Sequence, residues 1–285
     1  MRYSGVENWH LFRGANMKKL LIASVAAFSL SASSAFAADL GHAPAPAYKA
    51  PPLPPPALSW TGCYIAGGVG YGLWNQRDYD VTSPPAVPSG VVLTPTVNTG
   101  GEGWLGRLGG GCDYQFGVGS LGNFVIGAFA DYDFTNFTGT FQDPFTTFVG
   151  QEKESGSWAV GGRIGYLVTP DLLGYFDGGY TQARFDSITL FVPFAPPGLT
   201  YPSQTSSGWF LGGGTEYALN MSWVPIHGLF WRTEYRYNSY DAANVPVSFV
   251  GIPFGLASHM QKNVQTVTSG LVWRFNFGGP VAARY

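Results

Sequence analysis

The chain predicts an all-β fold: an eight-stranded antiparallel transmembrane β-barrel with long extracellular loops and short periplasmic turns. Three observations lead there. The 285 residues hold 40 Gly and 16% aromatic residues but only 11% charged ones, a composition that disfavours helix interiors and disorder alike. Beyond residue 40 no run of about 18 uncharged, dominantly apolar residues escapes interruption by Gly, Pro, Asp or Arg, which excludes a bundle of membrane-spanning helices. Aromatic and aliphatic residues instead recur at every second position in segments of about ten residues, the period and length of strands that cross a bilayer. The net charge of −2 leaves no basic footprint, so no nucleic-acid partner is expected.

From Met17 the chain reads MKKLLIASVAAFSLSASSAFAADL, with two lysines, an apolar stretch from Leu20 and small residues ending in Ala35-Phe36-Ala37. This predicts a secretory signal at 17–37, cleaved after Ala37 and preceded by an extension that places the translation start at Met17. Residues 1–37 are therefore expected to be removed. Residues 38–59, rich in Pro and Ala, favour extended polyproline II and predict a periplasmic tether. The barrel is expected over 60–285.

The strands follow in order. Trp60 to Trp74 sets Cys63, Ile65, Val69, Tyr71 and Leu73 on one face, with Tyr64, Ala66, Gly68 and Gly70 on the other. Trp104 to Phe116 places Trp104, Leu108, Tyr114 and Phe116 opposite Arg107, Asp113 and Gln115. Phe124 to Phe134 opposes Ile126 and Tyr132 to Asp131 and Asp133, and Trp158 to Tyr166 opposes Val160 and Ile164 to Arg163. Leu172 to Thr181 carries Asp177, Trp209 to Ala218 carries Glu216, and Phe230 to Tyr240 alternates Arg232, Glu234 and Arg236 with Trp231, Tyr235 and Tyr237. Thr266 to Phe277 closes the set, with Val267, Leu271 and Trp273 opposite Arg274.

These charges decide between two arrangements. A soluble sandwich buries its apolar face and turns charges outward to water, whereas here the minority face mixes charges with small residues. The five arginines, Arg107, Arg163, Arg232, Arg236 and Arg274, nearly balance Asp113, Asp131, Asp133, Asp177, Glu216 and Glu234. Such a set can pair inside a narrow lumen, where an ion needs a partner to offset its desolvation. The apolar face, ringed by Trp and Tyr, then meets lipid. Gly68, Gly70, Gly161, Gly179 and Gly214 share the inward phase and could leave water pockets between the ion pairs, although the expectation is a plugged lumen or a small, low-conductance path.

Connections alternate in length. Those at about 117–123, 168–171 and 219–229 are short and predict the periplasmic side. Those at about 75–103, 135–157, 186–206 and 241–264 are long, Pro-rich and predict extracellular loops. Cys63, near the start of the first strand, and Cys112, near the end of the second, lie on one face of antiparallel neighbours. In an exported chain they predict a disulfide.

Several segments are similar to the alphaproteobacterial outer-membrane immunogenic protein family, porin-like eight-stranded barrels. They are WTGCYIAGGVGYG, GGGCDYQFG, GRIGYLVTPDLLGYFDGGY, GWFLGGGTEYAL, WRTEYRYNSY and TVTSGLVWRFNFGGPVAARY. The resemblance spans nearly the whole chain. It implies a surface protein of the outer membrane with roles in envelope integrity and host interaction, with haem binding in some members, and it brings no catalytic residues. The chain departs from the pattern at Phe129, where a Glu is typical, at Pro225 to Gly228, which lengthen a turn, and after Phe277, where eight residues follow. Trp273, Phe275 and Phe277 resemble the C-terminal signal read by the outer-membrane assembly machinery, with Tyr285 a second candidate terminus.

No catalytic set and no resident cofactor are expected. Ser258 and His259 are adjacent, and neighbours in a strand point to opposite sides. No Cys or His cluster has metal-ligand spacing. Asp78 with Asp80, or Glu152 with Glu154, are candidates to hold a divalent cation bridging lipopolysaccharide, but such charges are more often simply solvated, and that is the expectation here. Haem would have only His259, Met260 or Tyr201 as axial candidates. The expected function is a structural surface barrel that seals the outer membrane around a charged core and displays its loops. A narrow low-conductance porin is the main alternative and an outer-leaflet lipid hydrolase a remote one. The expected partners are outer-membrane lipid, lipopolysaccharide, the assembly machinery, and cell-wall or host-surface contacts.

Overall fold

A computed structural model describes residues 58–146, 148–191, 198–219 and 228–275 of the chain. The expected signal and tether up to residue 57, most of the 219–229 turn, and the candidate termini Phe277 and Tyr285 lie outside the described residues.

Twelve strands form one antiparallel sheet: β1 (Gly62–Thr82), β2 (Val97–Gly117), β3 (Asn123–Thr135), β4 (Phe137–Gln142), β5 (Val149–Thr169), β6 (Leu172–Phe185), β7 (Ile188–Phe191), β8 (Leu199–Tyr201), β9 (Gln204–Ala218), β10 (Leu229–Tyr240), β11 (Ala243–Phe249) and β12 (Ile252–Phe275). In the lower tier the order β1-β2-β3-β5-β6-β9-β10-β12 returns to β1, so eight strands close a ring without a free edge. The fold expected from alternation is therefore present.

The chain goes further than the alternation indicated. Above the lower tier a second ring closes as β1-β2-β4-β5-β7-β8-β11-β12, again returning to β1. Four strands, β1, β2, β5 and β12, run through both tiers, and β3, β6, β9 and β10 are extended upward by β4, β7, β8 and β11. The long connections are in large part wall: what remains irregular among the described residues is chiefly 83–96 and 143–148. At a rise of about 3.3 Å per residue and a tilt of about 40°, the 21 residues of β1 reach about 50 Å, roughly twice the apolar band of such barrels.

The lower tier carries the lipid-facing surface. Ile65, Val69, Tyr71 and Leu73 of β1 and Trp104, Leu108 and Tyr114 of β2 project outward, Trp104 being 68% exposed to the surroundings. Aromatic pairs ring both margins. Tyr71–Trp104, Tyr132–Phe134, Trp158–Tyr180 and Trp209–Tyr237 lie on the extracellular side, and Phe124–Tyr166 and Trp273–Phe275 on the periplasmic side. Above the outer ring the same strands turn polar outward, through Asn75, Arg77, Gln261, Asn263 and Gln265. The apolar band therefore spans only the lower tier.

Candidate functional site: the filled lumen

The interior is stratified. At the periplasmic mouth Trp60 is fully buried. Its indole N–H donates to the carbonyl of Pro170 at 3.1 Å, its backbone N–H donates to Gln115 Oε1 at 2.9 Å, and its ring packs against Phe230 with centroids 4.8 Å apart. Beside it lie Tyr64, Val125, Leu173, Tyr175, Phe210 and Val272.

Into this layer project the lumen charges. Asp113 on β2, Arg163 on β5, Glu216 on β9 and Arg274 on β12 sit a quarter-turn apart and join in a closed ring of alternating sign. Arg163 Nε donates to Asp113 Oδ1 at 2.8 Å and Nη1 to Glu216 Oε2 at 3.0 Å. Arg274 donates to Asp113 at 2.6 Å and to Glu216 at 2.8 Å. All four side chains are almost entirely enclosed, so each cation has two counter-ions and each acid two donors, the arrangement that offsets desolvation. Arg232 adds a further contact to Glu216 at 3.2 Å.

A second charged layer stands above the first. Arg107 grips Asp133 bidentately at 2.6 and 2.7 Å and reaches Glu234 at 2.6 Å. Arg236 crosses from β10 to Asp131 on the opposite wall at 2.9 Å, contacts Glu234 at 2.9 Å and lies 3.5 Å from Asp177. Arg107, Asp131, Asp133, Asp177, Glu234 and Arg236 thus form one contiguous charged network. Phe129, which departs from the resembled pattern, packs edge-on to Phe210 with Arg236 over its ring, so an aromatic face takes the place of a carboxylate as the neighbour of that cation.

Of the five inward glycines only Gly68 borders a pocket between the ion pairs; the other four leave none. A Cβ at Gly70, Gly161, Gly179 or Gly214 would collide with the backbone of a neighbouring strand, and the tip of Phe210 fills the space over Gly161. Their role is close approach of the walls around bulky lumen side chains. One cavity of about 40 Å³ persists beside Gly68, Arg107 and Arg232, room for a few waters.

Above the second layer, Trp74, Leu105, Phe137, Phe185, Tyr240 and Val264 form an apolar floor to the upper tier. There Lys262 Nζ on β12 donates to Glu152 on β5, directly across the barrel. Asp78, Asp80, Glu152 and Glu154 are buried rather than solvated. The sequence places them in loops because polar and apolar residues stand on both faces of the upper strands and hide the alternation; their own every-second-residue spacing is the one signal. Higher still, Phe141, Ile188, Leu190, Leu199, Val245, Val247 and Met260 pack together. Tyr201 donates to Asp143; burial, followed by the charge of that carboxylate, raises the phenol well above its ordinary range.

Cys63 and Cys112 stand directly opposite each other on β1 and β2 and are joined by a disulfide. Ser258 is buried, while His259 points outward, stacks on Tyr79 and hydrogen-bonds Asn244 at 2.7 Å. The two face opposite sides of the wall. Met260 and Tyr201 are enclosed in the upper core, so His259, Met260 and Tyr201 do not converge on a haem. Among the described residues no group of three His, Cys, Asp or Glu is placed to hold a metal ion.

A closed sheet with lipid-facing aromatic belts and an ion-paired interior defines an integral β-barrel of the Gram-negative outer membrane. The chain belongs to the family described as outer membrane protein beta-barrel domain, whose family model matches residues 22–275. It is similar to the 31 kDa outer-membrane immunogenic proteins of Brucella melitensis biotype 1 and Brucella suis biovar 1. Each is 28% identical over 268 residues, covering 91% of this chain and 100% of the relative. Among solved structures it resembles the outer membrane protein OprG from Pseudomonas aeruginosa (12% identity, 76% of this chain and 97% of that one, TM-score 0.48). It also resembles Ail, the attachment invasion locus protein of Yersinia pestis (11% identity, 75% and 99%, TM-score 0.33).

Proposed function

We propose that this protein is a sealed structural barrel of the outer membrane, non-conducting and non-catalytic, which braces the envelope and presents its upper tier as a contact surface. The ring Asp113–Arg163–Glu216–Arg274 is the observation that carries the reading. Two chains of hydrogen bonds span the lumen from β2 to β9, and aromatic layers pack above and below them. A solute would have to break several enclosed ion pairs, each costly to leave uncompensated.

The upper surface supports the presenting role. Residues 83–96, 188–206 and 243–258 contain no charged residue, and Val87, Phe191 and Val250 within them are exposed. Such an uncharged apolar rim suits a protein or host-surface contact. The related Brucella proteins carry the word immunogenic in their names, which fits a surface that reaches beyond the membrane.

Single-channel recording in planar bilayers tests the seal. The purified barrel should give no stable conductance steps. Regular, reproducible steps would overturn the reading in favour of a narrow pore.

A further inference from the structure

Nine lysines and arginines lie among the described residues, and six of them are turned into the lumen against carboxylates. The outward ones are Arg77, Lys153 and Arg184. Two of these share one patch: Lys153 on β5 and Arg184 on β6 occupy neighbouring strands, tied by the backbone bond from Asp186 N–H to the Lys153 carbonyl at 2.9 Å and by Ser155 Oγ donating to the Arg184 carbonyl at 3.3 Å. A register shift between Glu154 and Gly156 makes this possible. Below it even-numbered Trp158 faces outward; above it odd-numbered Lys153 does, with Glu152 and Glu154 turned inside.

Immediately beneath the two cations lies the outer aromatic belt. Trp158 and Tyr180 approach with centroids 5.4 Å apart, and Tyr132 and Phe134 at 4.7 Å flank them on β3. Gln182 binds this shelf together, accepting from the Trp158 indole at 3.2 Å and donating to Ser207 at 3.2 Å. Such belts mark the level of lipid headgroups. Neither cation forms an ion pair among the described residues. The nearby Asp186 contacts Lys153 through its backbone.

We infer that Lys153 and Arg184 form a binding site for the phosphate groups of an outer-leaflet glycolipid, the phosphorylated lipid A portion of lipopolysaccharide. Its acyl chains lie along the apolar wall of Phe134, Trp158, Val160 and Tyr180, its sugar ring rests over the aromatic shelf, and its phosphates meet the ammonium and guanidinium above. Guanidinium supplies a bidentate fork and lysine a mobile point charge, complementary to a phosphate monoester. The site depends on the placement of the outer belt and not on the sealed lumen, so its test is separate from conductance.

The experiment is titration of the detergent-solubilised, folded barrel with purified bisphosphorylated lipid A, read by native mass spectrometry. In parallel run dephosphorylated lipid A and a competition arm with inorganic phosphate. The double variant Lys153→Gln/Arg184→Gln should weaken lipid A binding by about thirty-fold, the effect of removing two interfacial cations, while Arg77→Gln changes it less than about twofold. Dephosphorylated lipid A should bind the native barrel about as weakly as lipid A binds the double variant. Both substituted side chains point away from the core, and a heat-modifiable band on a gel verifies that the double variant is folded. Equal binding by the native and double-variant barrels, equal loss in Arg77→Gln, equal binding of the dephosphorylated lipid, or displacement by inorganic phosphate at equimolar lipid A would each overturn the assignment.

Discussion

Arg163 and Arg274 project from opposite walls of the barrel and share both of their counter-ions: each donates to Asp113 and to Glu216. The consequence is that neither arginine is dispensable. Arg163→Met leaves two enclosed carboxylates with only Arg274 and the more distant Arg232 to compensate them. It should lower the unfolding free energy by about 3–5 kcal/mol, measured by urea titration in lipid vesicles. Adding Glu216→Gln to that variant should recover part of the loss; a further loss of the same size would mean that the ring does not act as a unit.

Trp60 tests which layer seals the barrel. Trp60→Ala removes the ring against Phe230 and the indole bond to Pro170, which should cost about 3–5 kcal/mol. Conductance should remain absent, because the charged ring above is intact. Stable current steps in this variant alone would place the seal at the periplasmic mouth.

The Cys63–Cys112 bridge links partners that the ladder already holds in register. The paired Cys63→Ala/Cys112→Ala variant should therefore still close, giving the heat-modifiable gel shift of a folded barrel, while losing about 2–4 kcal/mol through the freer unfolded chain. Non-reducing mass analysis of the native protein should find no reactive thiol.

Asp80 gives the upper tier a pH dependence of defined sign. It is buried beside the Asp143 carboxylate, with the Ser258 hydroxyl and the Phe145 backbone N–H facing it. Burial first, and the charge of Asp143 next, push its carboxyl up to about 6. The folded value lies above the unfolded one near 3.9, so the fold binds the proton more tightly. The stability of the upper tier is greatest below about pH 4 and declines as pH rises through about 6. Hydrogen exchange of β1 and β12 amides should show the outer half opening more readily at about pH 8 than at about pH 5. Asp80→Asn should reduce that difference, and the carboxyls of Asp78 and Glu154, which burial pushes up to about 7 and about 8, supply the remainder.

The lower tier was legible because two solvents act on its two faces. Lipid selects Ile65, Leu108, Val160 and Leu271, the lumen selects charges and glycines, and the contrast repeats at every second residue. The upper tier has water outside and a packed core inside, yet its outward residues include Tyr79 and Val149 while its inward ones include Asp78, Glu152 and Lys262. That inversion removes the pattern, and the bulge at Ser155 shifts its phase within β5. The cross-lumen pairing was not readable either: which arginine meets which carboxylate depends on the rotation of one wall against another, and Arg236 and Asp131 are 105 residues apart. Only the near balance of charges was visible from the chain.

Because β1, β2, β5 and β12 run unbroken from the periplasmic mouth to the outer rim, the surface that meets the outside world is continuous with the part buried in lipid. A single residue inserted high in any of these strands would slip the pairings beneath it, turning inward groups out and outward groups in, unless a bulge such as that at Ser155 absorbs it. Length variation and grafted epitopes should therefore be tolerated at 83–96 and 143–146, where the backbone leaves the ladder, and rejected within the paired strands. Along the ladder itself, antigenic drift is confined to exchanging outward side chains one at a time on an unyielding lattice.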